Sequence, residues 1–216
     1  MGNEQHCPLC LSPDTDIYYS EPARDYYQCC ICRLVYVPGR FLLSPDQEKA
    51  VYDKHLNTPE DEGYRAFLSR LYTPMLDELD PGSFGLDFGS GPGPTLSVMF
   101  NESGHDMEIY DHFYADNPSV FDSQYAFITA TEVLEHLYTP GRELERLWAC
   151  LEPGGLLGIM TKRVRNRHVF SVWHYKNDPT HVCFYSRHTF DWLAGKWEAE
   201  VRYPAGDVVI FRKASK

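Results

Sequence analysis

The residues nearest the start of the chain that could do chemistry are cysteines. Five of the seven cysteines lie within the first 32 residues, arranged as CPLC and, after 18 intervening residues, CCIC. Two thiolates separated by two residues can face one tetrahedral ion, so paired C-x₂-C motifs are typical of a zinc site. The predicted ligands of a structural Zn²⁺ are Cys7, Cys10, Cys29 and Cys32. Cys30 and His6 are alternative ligands, and a site with four thiolates leaves no open position for catalysis.

The segments between the two motifs, DIYYS and DYYQ, predict the strands of a hairpin, so residues 1–40 are expected to form a zinc ribbon. A segment of about 40 residues cannot bury an adequate core of its own. Two roles therefore stay open for the ribbon. It is either a purely structural clip or a substrate-recognition module packed beside an active site.

A glycine-rich turn is the second candidate for ligand binding, within FGLDFGSGPGP at residues 84–94. An apolar strand pattern precedes it and an apolar helical pattern over 95–102 follows it, which is how α/β folds bring backbone close to a nucleotide-like ligand. Pro94 stands where a dinucleotide fingerprint has its third glycine, and neither Pro92 nor Pro94 has the N–H that a pyrophosphate needs. The turn therefore disfavours a nicotinamide oxidoreductase. It favours a ligand with an adenosine and no phosphate, such as S-adenosylmethionine.

An acidic residue follows the next predicted strand, 107–110, at the spacing expected of a ribose contact. Asp111 lies 20 residues after Gly91. A carboxylate at the end of a strand can accept hydrogen bonds from both ribose hydroxyls, so we predict this role for Asp111. The alternative is an ordinary loop aspartate.

Two histidines and a glutamate are placed where an acceptor substrate would lie. Glu135 and His136 follow the predicted strand 125–133, and His181 lies in the long segment 162–185 after the next strand. Ligands of α/β sheets bind beyond the carboxyl ends of the strands, and long loops in compact domains are often functional. We predict His181 as the base or acceptor contact, with His136 as the second candidate. The alternatives are a structural hydrogen bond for His181 and a helix cap for His136.

Strands alternate with helices in the larger part of the chain, which predicts a mostly parallel sheet with right-handed crossovers. The expected fold is α/β: a Rossmann-like sheet with helices on both faces and a terminal antiparallel strand, plus the small N-terminal zinc ribbon. The expected domains are the ribbon at 1–40, a helical linker or cap at 41–82 and a Rossmann-like domain at 83–216. Finer expectations are a weak strand over 114–120, an irregular segment over 162–185, and a kink or interruption at Pro74 of a helix over 62–79.

Three ordered motifs carry a family resemblance: LDFGSGPG, IYD, and ITATEVLEHLYTPGRELERLWACLEPGGLLGIMTKR. Together they closely resemble the class I S-adenosylmethionine-dependent methyltransferases. They are most similar to the small branch known as type 11/12, over roughly residues 84–190. The resemblance implies an enzyme that transfers the methyl group of S-adenosylmethionine.

The resemblance also implies which residues contact the cofactor. They are Asp87, Gly89, Gly91, Gly93, Asp111, Thr131 and Glu132. The first four would hold the methionine part, Asp111 would bind the ribose, and the last two would line the donor site.

The charge of the chain argues against one class of partner. Its 216 residues carry a net charge of −11, which disfavours broad nucleic-acid binding because such binding depends on neutralising phosphates. No apolar run approaches the roughly 18 residues that span a membrane, and the N-terminus has no signal-peptide pattern. We therefore expect a cytoplasmic protein without a membrane contact.

These observations together predict a methyltransferase acting on a small-molecule or glycan-type acceptor. The basic run 162–168 is either solvated surface or a binding surface for an anionic acceptor. The alternative function is a zinc-ribbon binding module for nucleic acid or protein with a degenerate cofactor domain. No pattern in the sequence specifies an oligomeric state.

Overall fold

The cysteine-rich N-terminal region forms a small antiparallel sheet. A computed structural model of the chain describes residues 6–54 and 57–215. Strands β1 (Thr15–Glu21), β2 (Arg24–Cys29) and β3 (Val35–Tyr36) lie side by side in that order. The β1–β2 hairpin lies where the DIYYS and DYYQ segments predict it.

Two helices follow the small sheet, and both begin at a side-chain cap. Helix α1 (Pro45–Tyr52) starts at Ser44, which forms a reciprocal capping box with the first turn. Helix α2 (Glu62–Leu76) starts at Asp61, whose carboxylate accepts a backbone N–H of the first turn. The helix runs through Pro74 and ends two residues later. The proline therefore lies in the last turn, and the helix is shorter than expected rather than interrupted.

A main sheet follows, and one further strand joins the small sheet. In chain order these strands are β4 (Phe84–Phe88), β5 (Asp106–Tyr110), β6 (Tyr125–Thr131), β7 (Leu151–Met160), β8 (Cys183–Phe184), β9 (Glu200–Ala205) and β10 (Val208–Arg212). Within the described residues the main sheet has the order β5-β4-β6-β7-β10-β9. The first four strands pair in parallel, whereas β10 pairs antiparallel with both β7 and β9. This confirms the predicted Rossmann-like, mostly parallel sheet with a terminal antiparallel pair.

Helices cover both faces of the main sheet. Successive residues of a strand point to opposite sides, so apolar residues on both sides need a helix to pack against. The remaining helices are α3 (Thr95–Glu102), α4 (Pro140–Ala149), α5 (Arg167–Ser171) and α6 (Arg187–Trp197). In β6, Phe127 belongs to a core with α2 and α3, whereas Ile128 belongs to a core with α4, α6 and the small sheet. None of the helices within 6–54 and 57–215 combines the length and the apolar character that a membrane crossing needs.

The expected strand over 114–120 is wrong. Pro118–Asp122 forms a 3₁₀ turn instead, and the Asn117 side chain accepts the Ser119 N–H at its start. Proline at the first helical position favours such a turn, and it lacks the N–H that a strand would donate.

The segment 162–185 is more ordered than the sequence predicts. It contains α5, a 3₁₀ turn over His174–Asn177 and β8. Strand β8 pairs antiparallel with β3, with Cys183 opposite Tyr36. The pairing partner lies far away in the sequence, so no local pattern indicates this strand. The pairing joins the small sheet to the segment that contains His181.

Candidate active site

A cavity of about 820 Å³ opens at the carboxyl ends of the parallel strands. Its lining comes from the glycine-rich turn, the ends of β4, β5 and β6, the helices α1 and α2, and the segment after β7. The residues predicted to contact cofactor or acceptor all line it: Asp87, Gly89, Gly91, Gly93, Asp111, Thr131, Glu132, His136 and His181. The fold therefore brings both predicted halves of the site into one cavity.

The glycine-rich turn after β4 needs glycine for two different reasons. Gly89 and Gly91 have φ angles of +76° and +63°, a left-handed conformation that favours glycine. A Cβ atom at Gly89 would lie 2.3 Å from the Val133 side chain. A Cβ atom at Gly93 would lie 2.0 Å from the Asn57 carbonyl oxygen, so the segment before α2 lies directly over the turn.

Asp111 is fixed at the end of β5 by backbone donors. Its Oδ2 accepts the Gly91 N–H at 2.9 Å, and its Oδ1 accepts the N–H groups of Phe113 and Tyr114 at 2.8 and 3.1 Å. The carboxylate therefore joins the glycine-rich turn to the loop after β5. Asp111 lines the cavity, and these amides take three of the about four acceptor sites of its carboxylate, which leaves one site on Oδ2 for a ribose hydroxyl donor.

Asp87 is a buried acid at the end of β4, only 2% exposed. The Thr129 hydroxyl donates to its Oδ1 at 2.7 Å. Burial raises the pKa of Asp87 to about 6, against the lowering effect of the Thr129 hydrogen bond, and the charge of Asp111 raises it further. A ligand ammonium group next to this carboxyl would favour its ionised form.

His136 and His181 lie side by side in the lining of the cavity, with ring centroids 4.7 Å apart. Nδ1 of His181 lies 2.7 Å from the Tyr175 carbonyl oxygen, and Nδ1 of His136 lies 3.2 Å from the Thr180 carbonyl oxygen. A carbonyl oxygen can only accept, so each Nδ1 carries a proton. Burial, followed by the charge of His136, lowers the pKa of His181. His181 therefore makes the structural hydrogen bond considered above and also faces the cavity.

Glu135 lies next to the two histidines and is fully buried. The hydroxyl groups of Tyr175 and Thr161 donate to its two carboxylate oxygens, the second at 2.9 Å. Burial raises the pKa of Glu135, although the charge of His181 and both hydrogen bonds act in the opposite direction. The position of Glu135 past the strand end follows from the sequence, whereas its hydrogen bonds do not, because its partners come from distant segments.

Thr131 ends β6, Glu132 follows it, and both residues line the cavity. Glu132 has a φ of +51°, which is rare for a residue with a side chain. Its Oε1 is buried and has no hydrogen-bond partner within the described part of the chain. Burial and the charge of Glu135 raise the pKa of Glu132 to about 8, and the charge of Lys162 lowers it.

The basic run 162–168 does not act as one surface. Lys162 lines the cavity. Arg163 donates to the carbonyl oxygens of Gly206 and Ala205, and Arg167 donates to that of Ile17 in β1. Only the first of these three residues is in reach of a ligand in the cavity.

The thiols of the two cysteine motifs form a compact cluster. Sγ atoms of Cys7 and Cys32 lie 3.4 Å apart, as do those of Cys10 and Cys29, and all four lie within 4.8 Å of one another. Tetrahedral Zn²⁺ with Zn–S bonds of about 2.3 Å separates its sulfurs by about 3.8 Å, so the cluster fits the ion. Cys30 instead lies 3.4 Å from a carboxylate oxygen of Asp16. His6 is exposed and lies outside the cluster.

The small sheet packs on the segment that contains His181. Arg24, which is 9% exposed, donates to the carbonyl oxygens of Lys176, Asp178 and Pro179 at 2.6 to 3.2 Å. The Lys176 ammonium forms an ion pair with Glu21 at 2.6 Å. These contacts and the β3–β8 pairing hold the 176–179 turn against the small sheet, in line with the alternative of a ribbon packed beside the active site, although no local pattern indicates the residues that make the contacts.

Comparison with known proteins gives the same fold. Among solved structures, the chain is similar to the 1,6-didemethyltoxoflavin-N1-methyltransferase of Burkholderia thailandensis, which was determined with S-adenosylhomocysteine. The TM-score is 0.53 at 15% identity, over 92% of this chain and 99% of that one. A Methanococcus maripaludis protein, described as an S-adenosyl-L-methionine-dependent methyltransferase, has a TM-score of 0.51 at 11% identity, over 79% and 94%. At such identities the likeness shows the fold alone. No curated protein matches the chain.

Comparison with protein-family models shows the family of the chain as well as its fold. A family model described as a methyltransferase domain matches residues 61–202, well over half of the chain. The matched range includes every cavity-lining residue predicted for the cofactor and the acceptor. The chain belongs to this methyltransferase family and is a class I, S-adenosylmethionine-dependent enzyme.

Proposed function

We propose that the protein transfers a methyl group from S-adenosylmethionine to a small-molecule or glycan-type acceptor bound at His136 and His181. One observation carries the proposal. A single cavity runs from the glycine-rich turn to the two histidines, so donor and acceptor have room to meet.

The donor half of the cavity matches the parts of the cofactor in order. Asp87 and the glycine-rich turn lie where the methionine part would be held, and the ionised Asp87 carboxylate would pair with its ammonium group. Asp111 would accept the ribose hydroxyls. Thr131 and Glu132 would line the donor methyl position between the two halves. The bound cofactor supplies an activated methyl group, and the chain supplies alignment and exclusion of water.

In the acceptor half, both imidazoles place Nδ1 against a backbone carbonyl, so Nε2 is the ring nitrogen that would accept a proton. An Nε2 atom within hydrogen-bond reach of the acceptor can take a proton from a hydroxyl, amine or acidic carbon as it attacks the methyl group. His181 is the first candidate because Tyr175 fixes its ring orientation. Lys162 would favour an acceptor with a negative charge near the cavity. The toxoflavin methyltransferase, which shares the fold, is named for a small-molecule acceptor, in line with this proposal.

The cysteine cluster would hold a structural Zn²⁺ through Cys7, Cys10, Cys29 and Cys32. We assign residues 1–40 to this ribbon, 41–82 to a helical cap and 83–216 to the catalytic domain. The ribbon's contacts with the 176–179 turn support a role in positioning the acceptor side of the cavity. The alternative, a binding module with a degenerate cofactor domain, gains no support because the cavity contains every predicted cofactor contact.

Calorimetry with the full chain tests the proposal. We expect S-adenosylmethionine and S-adenosylhomocysteine to bind with dissociation constants in the micromolar range. A mass-spectrometric screen of hydroxylated and amino compounds with labelled cofactor should then find an acceptor. No cofactor binding at millimolar concentration, or binding of NAD instead, would contradict the proposal.

A further inference from the structure

We propose that the acceptor end of the cavity binds a divalent metal ion between Glu135, His136 and His181, and that this ion holds a hydroxyl oxygen of the acceptor. The inference rests on the proposed function, because it assigns the acceptor side of the same cavity. It narrows the reaction to methylation of oxygen and the acceptor to a compound with a hydroxyl group.

The three side chains already lie at near-coordinating distances. Each offers one ligand atom, and these atoms lie within 4.8 Å of one another. Two ligands that are each about 2.1 Å from an ion lie roughly 3 to 4 Å apart, so small side-chain rotations close the site. All three side chains line the cavity, so positions not taken by the chain would face the acceptor.

The surroundings of the three side chains orient them as ligands. Each imidazole places Nδ1 against a backbone carbonyl, so Nε2 is the ring atom that would bind an ion, and Nε2 of His181 lies 3.9 Å from an Asp178 carboxylate oxygen. Metal-binding histidines almost always have such a partner on the other ring nitrogen. Glu135 accepts one hydrogen bond on each oxygen, from Tyr175 and Thr161, and each oxygen retains a lone pair for an ion. A carboxylate that is fully buried among such donors is held in one orientation.

Glu132 provides an independent observation at the same place. Its Oε1 is buried and has no hydrogen-bond partner among the described residues. It lies close enough to Glu135 for their charges to interact, so this part of the cavity holds two acidic groups. The nearby Lys162 ammonium lies 5.1 Å from the centroid of the Tyr175 ring and does not satisfy that oxygen. A bound cation would offset the charge of both carboxylates, with Glu132 as a partner of a metal-bound water.

The donor set indicates the class of ion. Two imidazoles and a carboxylate with open positions are typical of first-row divalent metals, and carboxylates also suit Mn²⁺. This site differs from the cysteine cluster, whose four soft thiolates select Zn²⁺ and leave no open position.

The ion would act as a Lewis acid on the acceptor. With the ion bound, Nε2 of each histidine holds the ion and does not itself take the acceptor proton. A hydroxyl oxygen bound to a divalent metal loses its proton more readily, and the proton passes to water. The oxygen then forms a bond to the methyl carbon while the bond between that carbon and the sulfonium sulfur breaks. The sulfur keeps the electron pair and becomes a thioether, so the step needs no oxidant or reductant.

Manganese titration of the full chain, with its cysteine cluster loaded with zinc, tests the inference. Electron paramagnetic resonance reports free Mn²⁺, so it measures binding without any turnover. We expect about one Mn²⁺ per chain, and at least tenfold weaker binding in Glu135→Gln and His181→Ala. The matched control is His188→Ala, an exposed histidine on α6, which should bind Mn²⁺ as the wild type does.

Binding of S-adenosylhomocysteine by the same samples separates the two proposals and shows that each variant is folded. Glu132→Gln offers a further variant that keeps the side-chain shape, and it should also weaken Mn²⁺ binding. The inference is overturned if wild-type protein that binds S-adenosylhomocysteine binds no Mn²⁺ at millimolar concentration. Unchanged Mn²⁺ binding in Glu135→Gln and His181→Ala would overturn it as well. Failure of the wild type to bind S-adenosylhomocysteine would overturn the proposed function and this inference with it.

Discussion

His136 and His181 lie with their ring centroids 4.7 Å apart, and Nδ1 of each ring faces a backbone carbonyl of the segment 175–180. One short segment therefore fixes the orientation of both rings. A hydrogen bond from Arg24 and the pairing of β3 with β8 fix this segment against the small sheet. The acceptor side of the cavity thus depends on the N-terminal small sheet, whereas the cofactor side depends on β4, β5 and β6.

The histidine pair should matter for transfer and not for cofactor binding. We expect His181→Ala to lower the methyl-transfer rate by about 100-fold, the usual scale for losing a group that acts on the acceptor proton. Its affinity for S-adenosylhomocysteine should stay within about twofold of the wild type. Transfer to an acceptor found by the screen, measured in single turnover by mass spectrometry, checks the first expectation, and calorimetry checks the second. If His181→Ala lost as much affinity for S-adenosylhomocysteine as it lost transfer rate, His181 would not lie on the acceptor side.

Cofactor affinity should depend on pH through Asp87. Burial raises the pKa of this acid to about 6, and the ammonium of the methionine part would bind its ionised form better. Affinity should therefore rise as the pH increases through about 6 and level off at higher pH, where Asp87 is already ionised. Calorimetry with S-adenosylhomocysteine between pH 5 and 8 measures this.

Two variants of the Asp87 pair make that test specific. Asp87→Asn should bind more weakly at pH 8 and lose the pH dependence in this range. Thr129→Val removes the hydrogen bond that lowers the Asp87 pKa, so its transition should move to higher pH. Retention of the wild-type pH dependence in Asp87→Asn would show that another group is responsible.

The cysteine cluster should be required for zinc and for stability. Cys32 is fully buried within the cluster, so Cys32→Ser should purify without the one equivalent of zinc expected for the wild type. We expect Cys32→Ser to lose about 2 kcal/mol or more of its free energy of unfolding, which should lower its melting temperature by about 5 °C or more. Cys30→Ser is the matched control, because Cys30 faces Asp16 outside the cluster and the variant should keep its zinc. Elemental analysis and thermal unfolding are the measurements, and zinc-free, stable wild-type protein would contradict the assignment.

Arg24 should link the small sheet to the acceptor side. Its guanidinium donates to three carbonyl oxygens of the 176–179 turn, and losing charged hydrogen bonds to buried groups costs about 1.5 to 3 kcal/mol. We expect Arg24→Ala to be destabilised by about this amount in urea unfolding and to transfer methyl groups more slowly. Its cofactor affinity should not change. Arg33→Ala, at an exposed position next to the CCIC motif, should show none of these effects.

The features that the sequence predicts are those set by local pattern. The Gly89–Gly91 turn, the strand end at Asp111 and the paired cysteines each follow from spacing within one short segment. What the sequence does not predict depends on long-range pairing. Strand β8 forms because β3 lies beside it, and Arg24 is buried because the 176–179 turn covers it. The strand expected over 114–120 fails for a local reason, since Pro118 starts a 3₁₀ turn.

Calorimetric titration of Asp111→Ala with S-adenosylhomocysteine tests the central claim most directly. Asp111 connects the loop after β5 to the glycine-rich turn through Gly91 and is the predicted ribose contact. The matched control is Asp106→Ala, an exposed acid at the opposite end of the same strand. We expect micromolar binding for the wild type and for Asp106→Ala, and at least tenfold weaker binding, about 1.4 kcal/mol, for Asp111→Ala. Equal affinity in all three proteins would contradict the account of this cavity as the cofactor site.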